Sequence, residues 1–384
     1  MQEVQCRRGT GDEKMMWRRF PGFVMILFSV IILWTFGLET YGQDWKSTRE
    51  IIAKVDSMIP ALQKEFKVPG VSLVLIRDNK IVYSRGFGVK DVQTNEPVTD
   101  ETMFEACSMT KPVFAYLAMK QVESGNLRLD TPVWTIFDDP AFQGQELRKK
   151  ITARMLLSHT SGLPNWRQGD DEENGYLPIE FEPGTKFGYS GEGMYYLQKV
   201  VEKITGKSLE VLAKETLFDR NLMRNSSFVY LPEFETRLAS GHDTSGNLKQ
   251  KTSYKRANAG YSLYCSARDY ALFLLDVMAN DRPGGDALAS EYIDQMLTPQ
   301  IKVTTREPQV RPGNANGIET FRGLGWVIDS TLEGDICYHS GANGSGFKCY
   351  SQFNRKKGSG IVIMTNGSGG LGVWDAVVRA IGDI

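Results

Sequence analysis

Apolar runs of β type cluster at the two ends of this chain and are scarce between them. Near the N-terminal end stand "VSLVLIR" (71–77) and "KIVYSRGFGV" (80–89), separated by Asp78-Asn79. Asn and Asp accept turn conformations, so the pair reads as a hairpin. Near the C-terminal end come "GLGWVIDSTL" (323–332), "DICYHSG" (335–341), "GFKCYSQFN" (346–354) and "SGIVIMTN" (359–366). Between the two sets, about 100–310 reads as mostly helical with many loops, its clearest helix Met194–Ile204, stopped by Gly206. A sheet cannot leave its apolar face bare. The expected fold is therefore α+β: one antiparallel β-sheet assembled from the N- and C-terminal segments, flanked by helices, with a mostly helical region inserted. "DWKSTREIIAKVDSMIPALQKEF" (44–66), apolar at helical spacing, and "VWDAVVRAIGDI" (373–384) supply two of the covering helices. There are no repeats and no low-complexity linker.

The first forty residues stand apart. Lys14, Arg18 and Arg19 precede "FVMILFSVIILWTFGL", a nearly unbroken apolar run slightly short for a membrane span. Basic residues before such a run describe an export signal or a single anchor with its N-terminus inside. Thr40 and Gly42 place small residues at −3 and −1 of a cleavage site before Gln43. A start at Met15 or Met16 gives a tidier signal, and on that expectation the first fourteen residues are a misassigned start. The expected division is 1–43 as cytoplasmic stub plus signal peptide or membrane anchor, and 44–384 as the folded domain. That domain is then exported, periplasmic or extracellular, and held at the membrane by residues 20–38 if the segment stays uncleaved.

Composition narrows the chemistry. With 384 residues and a net charge of −1, nothing suggests nucleic acid as a partner. The three histidines, His159, His242 and His339, are far apart and form no H-E-x-x-H, so neither metal nor other cofactor is expected. The five cysteines show no C-x-x-C. Gly367, Gly369 and Gly372 fit G-x-G-x-x-G, but the chain ends twelve residues later. That leaves no room for a βαβ unit, so they mark a strand-to-helix turn.

"EACSMTKPVFAY" (105–116) carries the main chemical signal. Ser108 stands three residues before Lys111 at the opening of a helix, where i and i+3 share a face. Pro112 suits a first turn. The lysine amine can sit beside the serine oxygen, and a buried lysine there loses preference for its charged form. An N-cap serine with a solvated lysine is the other reading, and the motif alone leaves both open. Ser345-Gly-Phe-Lys348 matches the same spacing, but it reads as a strand, where residues three apart point to opposite faces.

Three further stretches bear on the choice: "LLSHTSGLPNW" (156–166), Tyr189-Ser190-Gly191 before a helix, and His339-Ser340-Gly341 at a strand end. Taken with Ser108 and Lys111, they resemble in order the serine β-lactamase and penicillin-binding superfamily. The likeness is strongest to its class C-like branch of class C β-lactamases, D-alanyl-D-alanine carboxypeptidases and family VIII esterases. The resemblance covers roughly residues 50–384. It implies an acyl-enzyme mechanism with Ser108 as nucleophile, Lys111 as its activating partner and Tyr189 as second base. A phenol with an ordinary pKa near ~10 needs a positive charge beside it for that role. The resemblance also implies an oxyanion hole from the backbone N–H groups of Ser108 and Ala342, and substrate contacts from His339, Ser340, Gly341, Gly191 and Trp166. His159 reads as a scaffold histidine.

Two positions depart from the family pattern. His339 stands where lysine is frequent, and a partly charged histidine holds a carboxylate less firmly. Gly191 stands where an asparagine often contacts a substrate amide. Both count against efficient lactam hydrolysis or strict D-alanyl-D-alanine peptidase action. The expected substrate is a small-molecule ester or peptide-like amide, with a β-lactam, a D-alanyl-D-alanine peptide or a sensing role as alternatives. Oligomeric state is not legible. Cys107 reads as a buried small residue. Cys337 and Cys349 could meet across a hairpin centred on Asn343, which leaves a disulfide open.

Overall fold

A computed structural model describes residues 47–167, 175–279, 286–304 and 318–382. The expected signal or anchor segment lies outside them. Helix α1 (Thr48–Phe66) opens on a capping box in which Ser47 and Glu50 satisfy each other's backbone N–H groups. It buries Ile51, Val55, Ile59 and Leu62 on one stripe. Strands β1 (Gly70–Arg77) and β2 (Lys80–Gly88) follow as an antiparallel hairpin. Asp78 and Asn79 both take positive φ, 50° and 56°, as a two-residue hairpin turn requires.

Along the chain come β3 (Met103–Glu105), α2 (Thr110–Glu123), α3 (Ala153–Leu157), α4 (Gly191–Thr205) and α5 (Leu209–Ala213). Then follow β4 (Ser226–Ser227), β5 (Tyr264–Ser266), α6 (Ala267–Met278) and α7 (Ser290–Leu297). The rest is β6 (Ile301–Lys302), β7 (Glu319–Arg322), β8 (Val327–Ser330), β9 (Ile336–Ala342), β10 (Lys348–Asn354), β11 (Ser359–Thr365) and α8 (Gly370–Ile381).

Eight strands form the main sheet in the order β2-β1-β11-β10-β9-β8-β7-β6, every pair antiparallel. The N-terminal hairpin thus joins the C-terminal strands through β1 and β11. Side chains of β1 alternate between two cores. Val71, Leu73 and Leu75 face α1 and α8, while Val74 and Ile76 face the other helices. Both faces are covered, so β1 is apolar on both faces, with Ser72 its one buried polar side chain. The α+β expectation holds.

The inserted stretch is not helix alone. Strands β3, β5 and β4 make a separate three-stranded antiparallel sheet. Between β11 and α8, Gly369 and Gly372 admit the end of α1: a Cβ on either would meet Phe66 within 2.4 Å. The glycine motif is a strand-to-helix turn packed on α1.

The hairpin of β9 and β10 corrects the cysteine expectation. Ala342 pairs with Lys348, so the turn centres on Ser345 and not Asn343. Cys337 therefore faces Phe353, Cys349 faces Gly341, and both thiols are free and buried. Ser345 lies in the turn and not on a strand, bonded to Glu105, while Lys348 Nζ reaches the Asn343 carbonyl. That second serine–lysine match is not a pair.

Candidate active site

Strand β3 delivers the chain to a short 3₁₀ turn, Cys107–Met109, that runs into α2. Cys107 has φ of 53°, a left-handed conformation that costs a non-glycine residue roughly 1–2 kcal/mol. Its surroundings hold it there. Ala106 N–H donates to Leu263 O at 2.8 Å, Thr110 Oγ1 to Cys107 O at 2.5 Å, and Tyr270 OH to Met109 O at 3.0 Å. Ser108 is thus fixed at the head of α2. Burial first, then Cys349 and Glu105, push the Cys107 thiol well up, which keeps it protonated.

Lys111 has no exposed surface, and its Nζ lies 3.3 Å from Ser108 Oγ. It also donates to Gly260 O at 2.7 Å. Ser108 is not a side-chain N-cap of α2, and the lysine is not solvated. The alternative reading of the motif does not describe this turn. Burial lowers the Lys111 pKa, Tyr189 opposes the shift, and Arg322 adds to it.

Tyr189 reaches the same place from the loop before α4. His159 straps that loop down: its carbonyl takes the Gly188 N–H at 2.8 Å, and its Nδ1 takes the Ser190 N–H at 3.1 Å. Ser190 then caps α4 by accepting from Gly193 N. The result puts Lys111 Nζ 4.7 Å from the Tyr189 ring centroid. The phenol oxygen is buried and makes no hydrogen bond of ordinary length, yet Lys111 and Ser108 are near enough to favour its ionised form. Burial alone would raise the pKa. The Lys111 charge, the nearby Lys111 and Ser108 donors and the Arg322 charge outweigh it and lower the phenol from its ordinary value.

Arg322, at the end of β7, is 1% exposed and holds its guanidinium 5.3 Å from the Tyr189 ring centroid. It also helps keep His159 and His339 neutral. Burial acts first, then Arg322 and Lys111, and both histidines fall well below 6.5. This corrects the expectation of a partly charged His339. In the neutral ring, Nδ1 sits 2.7 Å from Ser340 O and is assigned the hydrogen that bonds it. His339 is fully buried, its ring 6.4 Å from that of Tyr189. It stands behind the site and does not line the cleft.

Gly341 lets β9 approach the serine turn. A Cβ there would lie 2.3 Å from Ala106 O and 3.2 Å from Ser108 N. The next residue, Ala342, shares a cleft wall with Ser108. That cleft, about 480 Å³, is also lined by Asn165, Trp166, Tyr254 and Tyr261. Ser340 is half-buried and Gly191 buried beside Trp166. A larger hollow of about 610 Å³ beside Asp294 and Arg355 holds none of these groups, so chemistry and not volume selects the cleft. Glu105, Arg322, Gly260, Tyr254 and Tyr261 escaped the sequence reading. Only Glu105, three residues before Ser108, lay within a stretch already singled out.

A serine beside a buried lysine at a helix head, over an antiparallel sheet covered on both faces, defines a hydrolase of the serine β-lactamase fold. The chain belongs to the β-lactamase family, whose model matches residues 55–383, and through it to the serine β-lactamase and penicillin-binding superfamily. It is 26% identical over 375 residues to esterase EstB of Burkholderia gladioli, covering 82% of this chain and 90% of that one. It is 28% identical over 329 residues to penicillin-binding protein 4 of Amycolatopsis lactamdurans, covering 80% and 83%. Among solved structures, the octameric penicillin-binding protein homologue from Pyrococcus abyssi superposes with a TM-score of 0.72 at 28% identity. That match covers 86% of this chain and 76% of that one.

Proposed function

We propose that the chain is an exported serine hydrolase that works through an acyl-enzyme on small esters or peptide-like amides. The observation that most supports this is the fully buried Lys111 amine 3.3 Å from Ser108 Oγ. Ser108 Oγ attacks the substrate carbonyl carbon, and its proton passes to the Lys111–Tyr189 pair. The N–H groups of Ser108 and Ala342 receive the developing oxyanion, a contribution of roughly 10²–10³ in rate per donor. The tetrahedral centre collapses, and the leaving group departs with the proton from that pair. Water then attacks the acyl-enzyme, gives its proton to the same pair, and the acid leaves as Ser108 Oγ is reprotonated.

Esters are favoured over carboxylated lactams or peptides on two grounds. His339 is neutral and buried, so it supplies no charge for a carboxylate. Gly191 supplies no amide. The similarity to an esterase supports this reading, and that to a penicillin-binding protein keeps lactams and peptides in the test panel. Export is supported by the basic residues ahead of the apolar run near the N-terminus. N-terminal sequencing of the mature protein tests it; a chain beginning at Met1 and recovered from the cytosol would contradict it.

Turnover of p-nitrophenyl butyrate, nitrocefin and a D-Ala-D-Ala peptide tests the substrate class. The ester should be cleaved fastest. S108A should abolish its turnover, and turnover surviving in that variant would refute the assignment.

A further inference from the structure

Trp166 occupies the space that a side chain at position 191 would need. Its outer ring atoms lie 2.4 and 2.5 Å from where a Cβ on Gly191 would sit. On another side, the same ring edge is 2.9 Å from where a Cβ on Gly260 would sit. The tip of the indole therefore sits in a slot against two glycines: a Cβ at 191 would evict it, and one at 260 would crowd the same ring atom. Gly260 is also the residue whose carbonyl takes the Lys111 amine, so the slot abuts the reacting groups. Lys111 Nζ is 5.9 Å from the centroid of the indole ring.

The ring is held at one edge, yet Trp166 remains 42% exposed and lines the cleft beside Ser108. Tyr261 meets it edge-on with centroids 5.3 Å apart, and Tyr254 meets Tyr261 at 5.2 Å. Both tyrosines line the same cleft. Three rings thus run along one wall. Tyr254 is anchored, its hydroxyl donating to the buried Glu105 carboxylate at 2.8 Å.

We propose that this aromatic wall binds a flat aromatic group of the substrate, so that the site prefers aryl-bearing esters to alkyl esters of similar size. The inference rests on the acyl-transfer reading above and names its substrate class. An amide-binding side chain at 191 would hold an acyl amide by hydrogen bonds. The indole that fills its place offers a π face and an edge, which pair best with another ring. Such a contact is worth about tenfold in kcat/KM, the factor that corresponds to ~1.4 kcal/mol.

The experiment measures kcat/KM by pH-stat for two ester pairs. Methyl phenylacetate against methyl cyclohexylacetate places the ring on the acyl side, and benzyl acetate against cyclohexylmethyl acetate places it on the alcohol side. The wild-type protein should favour the aryl member in at least one pair, which also assigns the side. W166A should lower that aryl-to-alkyl ratio by about tenfold, the size of one aromatic contact, and W166F should fall between. G191N should lower the same ratio to a similar degree, because asparagine and indole compete for one space. The W166A/G191N double variant should then add less than about twofold, as expected for coupled sites. A wild-type ratio near one in both pairs would overturn the proposal. So would equal losses on both members of each pair, or effects of the two substitutions that multiply. Fluorophosphonate labelling of Ser108 runs in parallel. A wild-type protein that is neither labelled nor active on any ester sinks the acyl-transfer reading itself, whereas labelled, active and unselective protein sinks only the wall.

Discussion

Lys111 Nζ, fully buried, lies 4.7 Å from the centroid of the Tyr189 ring, and each alters the proton affinity of the other. Burial favours the neutral amine, while the ammonium favours the phenolate. Burial holds the amine below its ordinary value against the opposing phenol, and the Lys111 charge helps hold the phenol below its own, so both groups lie below their ordinary values. A pair that is easily deprotonated is what a serine hydroxyl needs as its base.

Removing one member separates the roles. K111A should lower kcat by roughly 10²–10⁴, the range for a lost general base, and Y189F by a comparable factor. Stopped-flow acylation with a chromogenic ester measures both. A K111A variant that acylates at the wild-type rate would remove the lysine from the mechanism.

Arg322 adds a further charge that lowers both members of the pair. The groups facing Tyr189 are Lys111, Ser108, Arg322, His159 and His339, and the two histidines stay neutral through the working range. kcat/KM should rise with pH along a limb that lies below 10.0. R322M removes a positive charge that lowers both Lys111 and Tyr189, so the limb should move to higher pH. Thermal melts of the variant, run beside the rate profile, separate this from loss of fold. A folded R322M protein with an unmoved limb would contradict the assigned influence.

The buried lysine should cost stability. Its ammonium is disfavoured only in the folded chain, so below the ordinary lysine value of 10.5 the folded state holds fewer protons than the unfolded one. The penalty is therefore full and constant below the lowered pKa, and stability rises with pH between that pKa and 10.5 as the penalty is lost. K111M removes the ionisable group and should raise Tm near neutral pH, about 2 °C for each ~1 kcal/mol recovered. Calorimetry at pH 6 and pH 9 checks the sign: the gain should be larger at pH 6.

Gly341 tests the approach of β9 to the nucleophile. In G341A the new methyl would fall 2.3 Å from Ala106 O, so strand or turn must shift. The expected cost is roughly 1–3 kcal/mol of stability together with a loss of at least ~10²-fold in kcat, since the Ala342 N–H moves off the oxyanion. Denaturant midpoints and ester kinetics measure the two parts. Full activity would mean that Ala342 does not hold the oxyanion.

The parts of the fold visible in the sequence were those with local causes. Val71 to Ile76 read as a strand because both faces of β1 are buried, and Asp78-Asn79 read as a turn because these residues tolerate positive φ. Ser108 and Lys111 were visible because one helical turn brings them together. Strands β3, β4 and β5 were not, since two or three residues carry no periodicity. Arg322 and Gly260 were hidden for a different reason: folding brings them to Lys111 from 211 and 149 residues away along the chain. The free cysteines show how a local guess fails. Centring the hairpin on Asn343 paired Cys337 with Cys349, whereas the true turn centres on Ser345 and re-pairs every residue on both strands.

Rapid-quench intact-mass measurement during turnover of p-nitrophenyl butyrate tests the central claim most directly. The wild-type protein should carry one butyryl group, located by peptide mapping on Ser108 and absent from S108A. Butyryl found on another residue, or wild-type turnover with no acylated protein at any quench time and no burst of p-nitrophenol, would contradict it.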